Sequence, residues 1–537
     1  MSRIASRFLT TSLFGACLAL PLAAQQRIDV DVTISGGVPA LESDPGGMSG
    51  DAHVVAFASD ANDLVVGDRG SPDVFVRDLV SGTTTRLTNS FPANYSNVRV
   101  SGDGRFVGYA QQNFGTPAIQ RRSFVHDRVA GTTSRIAANW AEVTIEDLNQ
   151  DGRFAVVTAR ATNVPGSPLQ VLRVDLVNGS VVLCSHDVNG DPAVNGDPAL
   201  PLHPRIDEDG THVAFASASP LLVPGDTNGV ADVFLYDVPG DVMIRASVSN
   251  DGAQGLAGSA RPTVSKDGRF VAFETFATNF APGDVNGLLD VYVRDVRLAT
   301  TTHVSLTTLQ APYPADCTHG TISGDGRYVA FSTLVSTGPF SGELQVRVRD
   351  LENGVSVPVD FGAGFVDFLM RPIELSDDGR SVLVERRLSA LSPLRIQLLD
   401  YGPPCSASNY CSAAPNSTGR PAFLSAQGSA SRELNNLVFA ALDLPPTAVT
   451  LLYSGTSAID PGTPFGDGSK CVGGTIVRHT IQQAVLGTII DAQDVHAPDY
   501  ANVHPGDTRY YQVLYRDPDA GSPGFNTTDA VAVTFCW

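Results

Sequence analysis

The chain has 537 residues, a formal net charge of −20 and a hydrophobic share of 42%. That length predicts about two or three domains, and that composition a globular protein rather than a disordered one. The acidity excludes nucleic acid, which is held by Lys and Arg neutralising phosphates, and equally a polybasic membrane attachment.

Residues 1–24 read as a secretory signal peptide. Arg3 and Arg7 precede the apolar stretch Phe8–Leu22, and Ala23 and Ala24 supply the small residues of a cleavage site. No later stretch reaches the ~18–20 apolar residues of a membrane helix. The mature protein is therefore expected to be exported, whether extracellular, periplasmic or at the cell surface, with no membrane span.

From there to residue 402 the chain returns seven times to one phrase. The cleanest copies are Ser101–Tyr109 (SGDGRFVGY), Ser265–Phe273 (SKDGRFVAF) and Ser323–Phe331 (SGDGRYVAF); looser ones centre on Asp51, Asp151, Asp209 and Asp378. Repetition at this period predicts a propeller or solenoid. In the fifth copy Pro262–Ser265 reads as a strand and Asp267-Gly268 as a two-residue type I′ turn. Arg269–Glu274 is the returning strand, apolar on both faces, as suits a blade packed between two others. Asp290–Asp295 (DVYVRD) supplies a third strand and Thr301–Leu306 a fourth. Four short strands per unit make a propeller blade.

The third-strand phrase recurs at Asp73–Asp78, Asp232–Asp237 and Val346–Asp350, with fainter forms ending at Asp127, Asp175 and Asp400, again seven in all. The last repeat stops after Leu394–Tyr401 and lacks a final strand, whereas Arg27–Val32 looks like one. The N-terminal strand is expected to complete blade seven and so remove the open edges. A residue type that recurs in every blade is a determinant of fold, so the Asp-Gly-Arg triplets are read as structural. These phrases resemble the TolB-type, WD-like propeller repeat of bacterial exported proteins over Arg27 to Tyr401. The resemblance implies a periplasmic or extracellular propeller that serves as a protein-binding platform.

Residues 403–537 change texture. Segments such as Val449–Tyr453, Tyr510–Tyr515 and Val531–Phe535 alternate, predicting a small antiparallel β-sandwich. Tyr410–Gly419, Phe465–Gly468 and Phe535–Trp537 resemble a module that ends many secreted bacterial proteins. Cys405, Cys411, Cys471 and Cys536 fall here, and export permits disulfides. Four cysteines allow three pairings; Cys405–Cys411 with Cys471–Cys536 is favoured. Cys184 and Cys317 lie in non-adjacent repeats and are expected to stay apart.

Calcium is the one cofactor the residues suggest. Asp226, Asn228 and Asp232, and likewise Asp284, Asn286 and Asp290, place oxygen ligands at relative positions one, three and seven around a glycine. The glycine stands at position four, not six as in an EF-hand, and Asn-Gly is itself a turn signal. No Gly-x-Ser-x-Gly or His-Glu-x-x-His motif occurs. The histidines are scattered: His186 and His203 flank one inter-blade insertion and His319 sits in another, all read as surface-loop residues.

The sequence thus predicts an all-β protein: a seven-bladed propeller at 25–402, then a disulfide-stapled sandwich at 403–537. A non-enzymatic monomer that binds a protein or cell-surface glycan is expected. The alternatives are an extracellular enzyme acting on polysaccharide or peptide through acidic residues in the funnel, and a calcium-stabilised adhesion module. Binding is expected at the irregular segments Asn113–Ala118, His186–Pro204, Leu309–Gly320 and Ser336–Gly342.

Overall fold

A computed structural model describes residues 26–535 apart from 38, 40, 69–71, 89–92, 114–120, 163–166, 194–202, 308–309, 339–340, 353, 360–368, 388–391, 401–406, 428–436, 495–496, 501–502, 504–506 and 518–523. Seven four-stranded antiparallel sheets occupy the first compact unit, Gln25–Gly402. Blade one, for example, holds Ser43–Met48, Val54–Ser59, Asp73–Asp78 and Thr83–Arg86. Blade seven holds Leu369–Leu375, Ser381–Arg387 and Arg395–Asp400, and its fourth strand is Gln26–Asp29.

That N-terminal strand pairs antiparallel with Arg395–Asp400, from Gln26 opposite Asp400 to Asp29 opposite Gln397. Gln397 Nε2 donates to Asp29 Oδ1 at 2.6 Å, and Arg395 lies 3.2 Å from Asp31. Burial pushes the Asp31 carboxyl up to about 6, against the pull of Arg395. The ring is closed by this exchange, as the missing final strand required.

The repeated phrase builds one hairpin seven times. Ser101 Oγ accepts from Phe106 N at 2.9 Å and donates to Asp103 Oδ1 at 2.5 Å. Gly104 N donates to Ser101 O at 2.8 Å, so the turn spans four residues. Among its residues Gly104 alone has a positive φ, +73°. This corrects the type I′ expectation: Asp103 stays right-handed because its carboxylate already caps the turn by accepting from Arg105 N.

The two repeated phrases meet in space. The arginine that follows each turn reaches the aspartate that ends the third strand: Arg105–Asp127 2.6 Å, Arg153–Asp175 3.1 Å, Arg269–Asp295 2.6 Å and Arg327–Asp350 2.7 Å. The same arginine lies over the next aromatic ring, 4.5 Å from the centroid for Arg269 on Phe270. That ring then packs under the turn glycine of the following blade. A Cβ on Gly326 would come within 2.3 Å of Phe270, and its φ is +73°. Apolar residues facing both neighbours fill the space between blades; Ala272, Val291, Val293, Val329 and Phe331 form one such layer.

The second unit includes Pro403–Trp537. A five-stranded sheet runs in the order Ala407–Tyr410, Phe525–Thr534, Thr508–Arg516, Val449–Gly455, Val477–Gln483. A three-stranded sheet of Phe423–Gln427, Val438–Leu442 and Ile489–Ala492 shares a core with it, including Leu424, Phe439, Leu452, Tyr511 and Val531. Cys411 is bonded to Cys471, with a Cα separation of 6.3 Å.

This bond corrects the favoured pairing. Cys411 and Cys471 are partners of each other, so neither is left for Cys405 or Cys536. Tyr410 instead draws the two segments together, donating its hydroxyl to Cys471 O at 2.9 Å. Cys405 and Cys536 lie outside the described residues. Cys184 and Cys317 are buried and unbridged.

Candidate functional site

The innermost strand of every blade faces the channel, and three layers of side chains line it. The first layer is the residue after the motif serine: Gly50, Gly102, Gln150, Glu208, Lys266, Gly324 and Asp377. Their backbones form a closed circle of hydrogen bonds. Gly50 N reaches Gly102 O, Asp103 N reaches Gln150 O, and Gln150 N reaches Glu208 O, at 2.8–3.2 Å. The circle continues through Glu208 N to Lys266 O, Lys266 N to Gly324 O, Asp325 N to Asp377 O, and Asp377 N back to Gly50 O.

Side chains then lie across this end. Lys266 Nζ lies 2.8 Å from Asp377 and 3.4 Å from Glu208. The three glycines make the room. A Cβ at Gly50 would fall 1.8 Å from Asp377 Oδ2, one at Gly102 1.8 Å from Gln150 Oε1, and one at Gly324 2.8 Å from Lys266 Cδ. Burial pushes the Asp377 carboxyl up, against the pull of Lys266.

Three residues upstream of the first layer, the second surrounds a cavity of about 130 Å³. It is Gly47, Arg99, Asp147, Arg205, Thr263, Thr321 and Glu374, five residue types in seven blades. Arg99 Nε and an Arg205 guanidinium nitrogen both donate to Glu146 O, at 2.6 and 3.0 Å. Glu374 Oε2 accepts from Met48 N at 2.8 Å. Burial pushes Glu374 up to about 7, raises Glu146 and Asp147, and lowers Arg99.

The third layer lies four residues upstream of the motif serine or its equivalent. Asn97, His203, Arg261 and His319 stand there in blades two, four, five and six. All are left-handed, with φ between +41° and +57°. In blades two, five and six this is where a bulge interrupts the pairing with the second strand. The bulge holds these non-glycine residues in the left-handed region. Glu274 accepts from His319 N, and from Gly320 N at 3.3 Å, with Arg261 at 3.8 Å. Burial pushes Glu274 up to about 7, against Arg261. His203 and His319 are held down, to about 4 and about 3, first by burial and then by nearby cations that include Arg261. The Nε2 atoms of both are buried without a hydrogen-bond partner.

This revises the reading of the histidines. His203 and His319 belong to the channel, and the signal was available: each precedes its motif position by four residues. His186 sits apart, edge-on to Tyr236 and 3.2 Å from Asp241. The segments expected to bind fall partly outside the described residues, at 114–118, 194–202, 309 and 339–340. Two of them nevertheless lead into His203 and His319.

The six residues read as calcium ligands fall on two separate blades. In blade four Asp226 and Asp232 face Arg245, each at 3.7 Å, and Asn228 Nδ2 donates to Asp232 at 3.0 Å. In blade five Asp284 Oδ2 accepts from the Tyr292 hydroxyl and Asp290 Oδ1 from Ser305. Asn286 is spent on the loop, bonding Tyr313 O and Leu288 N.

The C-terminal unit contains a Ser-His-Asp arrangement that the sequence did not suggest. Ser454 Oγ lies 2.8 Å from His479 Nε2, and His479 Nδ1 lies 3.4 Å from Asp499. Ser454 and the His479 side chain are each 3% exposed, and the ring is stacked on Tyr500 and Tyr511. A nucleophile must meet its substrate, so this trio is read as core packing.

No protein-family model matches the chain, and no curated protein sequence is significantly similar to it. Solved structures are similar at the level of the propeller. One is oligogalacturonate lyase in complex with manganese, at 15% identity and TM-score 0.45, covering 71% of this chain and 96% of that one. Another is the β-propeller domain of the Trilobed protease from Pyrococcus furiosus, at 12% identity and TM-score 0.44, covering 67% and 96%. A third is TolB from Acinetobacter baumannii, at 15% identity and TM-score 0.35, covering 58% and 64%. The fold is a β-propeller of seven four-stranded blades. Likenesses this remote leave the ligand and the chemistry of the propeller to its own residues.

Proposed function

We propose that this is an exported, non-enzymatic binding protein whose ligand enters the channel and is read by the side chains that differ between blades. The observation that carries the reading is the third layer: Asn97, His203, Arg261 and His319, left-handed at equivalent positions. Side chains folded across the first layer favour entry from the third, where Arg261 is 45% exposed. Binding sites on propellers arise where blades differ, and these layers differ most. A protein loop or a cell-surface glycan suits the opening, since each offers hydroxyl and amide groups to unpartnered imidazole nitrogens. The leader-like residues 1–24 and the Cys411–Cys471 bond support export. Closure of the ring within one chain supports a monomer.

The test is a binding screen of immobilised glycans and extracellular proteins, followed by the double variant His203→Ala with His319→Ala. Affinity for the retained ligand is expected to fall at least about tenfold, which is ~1.4 kcal/mol, with the unfolding midpoint preserved. Undiminished affinity in a folded variant would remove the channel from the reading.

One observation favours an enzyme as the second reading. Glu274 is buried beside His319 and Arg261 and titrates near neutrality, as a general acid or base must. Turnover of any retained polymer, abolished by Glu274→Gln, would select it.

A further inference from the structure

Blades one, four and five carry the same buried clamp, with one substitution. In blade one Arg86 lies 3.5 Å from Asp68 and 3.8 Å from Asp73. In blade four Arg245 spans Asp226 and Asp232. The register places Arg86 opposite Phe75 and Arg245 opposite Phe234; the same register in blade five places His303 opposite Tyr292. The carboxylates are kept, as Asp284 and Asp290, and are 3% and 0% exposed.

An imidazole cannot do what the guanidinium does. His303 Nε2 lies 3.1 Å from Asp290 Oδ1 and 3.0 Å from Ser305 Oγ, and its ring stacks on Tyr292 at 4.6 Å. The Tyr292 hydroxyl donates to Asp284 Oδ2 at 2.7 Å. Each carboxylate is left with one buried oxygen that has no partner, Asp284 Oδ1 and Asp290 Oδ2. In the other two blades a fixed positive charge faces the pair. Uncompensated buried charge is strongly destabilising, and buried polar atoms are almost always satisfied.

We propose that blade five binds a hard metal cation at Asp284 Oδ1 and Asp290 Oδ2, in the role the arginine plays in blades one and four. Carboxylate oxygens favour Ca²⁺ or Mg²⁺ over softer metals. Three or more His, Cys, Asp or Glu groups at metal-binding spacing do not occur among the described residues. With two carboxylates as side-chain ligands, the ion would need backbone oxygens and water to complete its shell, and half-saturation is expected at about 0.1–1 mM. Blade four is excluded, since Arg245 already faces both carboxylates there.

The test is thermal unfolding of the mature chain after EDTA treatment, titrated with Ca²⁺, Mg²⁺ and Na⁺. A saturable rise of the midpoint with Ca²⁺ or Mg²⁺ is expected. His303→Arg restores the clamp, so it should abolish that rise while melting, without metal, no lower than the metal-free parent. Asp284→Asn should also lose the response, which keeps the test decisive if the arginine variant folds poorly. No response to any cation overturns the proposal. So does a response that survives both substitutions, which places the metal elsewhere. Stabilisation on lowering the pH through the imidazole range, with no metal response, would show that a proton on His303 replaces the arginine, and it too overturns the proposal.

Discussion

The first and third layers of the channel are five residues apart along each blade's innermost segment, yet they behave as different kinds of structure. In the first, backbone groups make the contacts, and the circle of hydrogen bonds includes all seven blades whatever the side chain. In the third, the contacts are particular to a blade: Glu274 accepts from the backbone of His319 and Gly320, and Asn97 bonds Glu146. Where a position repeats, the residue serves the neighbouring blade. Where it varies, buried carboxylates with raised pKa and left-handed backbone collect.

Three substitutions would break or sharpen that contrast. The largest effect is expected in the repeated turn beside the first layer. Gly326→Val places a branched side chain at φ +73° and against Phe270, and should cost about 3–5 kcal/mol, read as a lower denaturation midpoint with an unchanged slope.

The second concerns the varied layers and reverses in sign. Glu274 and Glu374 hold their protons up to about 7 in the folded state, against an ordinary value of 4.5. Folding therefore takes up protons between those limits, and stability falls as pH rises from about 4.5 through 7. Glu374→Gln should raise stability at pH 8, by on the order of 2 kcal/mol, and leave it nearly unchanged near pH 4.5. An equal effect at both pH values would show that the carboxylate is ionised throughout.

The smallest effect is at the rim. Arg105→Ala removes the bond to Asp127 on the solvent side of a repeated phrase. Exposed pairs contribute little, so the unfolding midpoint should not move measurably, although the residue recurs in most blades. The same substitution removes the guanidinium from the Phe106 ring, so an unmoved midpoint would show that neither contact stabilises the blade measurably.

The two units differ in how far they could be read in advance. The propeller was legible because its contacts are local or one repeat away: Ser101 with Phe106, Arg105 with Asp127, Phe270 with Gly326. The closing strand was legible because one blade lacked a strand and one strand lacked a blade. The cysteine pairing failed because Cys411 and Cys471 are 60 residues apart in a unit with no repeat to guide it.

The calcium motifs were visible as spacing, but their meaning lay in a third residue. Arg245 and His303 stand 13 positions after the last aspartate of their motifs, and only strand register brings them back to it.

By itself the sequence determined the seven repeats, the four strands of a blade, the closure of the ring and the all-β character of the C-terminal unit. Those follow from side chains that satisfy their own turn or the next blade, so each is written within a short span. The tertiary structure decided what faces the axis. Glu374 meets Met48 326 residues away only because the ring closes, and Lys266 meets Glu208, and His319 Glu274, only because neighbouring blades pack side by side. It likewise decided which buried carboxylates find a cation, since burial and charge balance depend on everything packed around a residue and on little that precedes it in the chain.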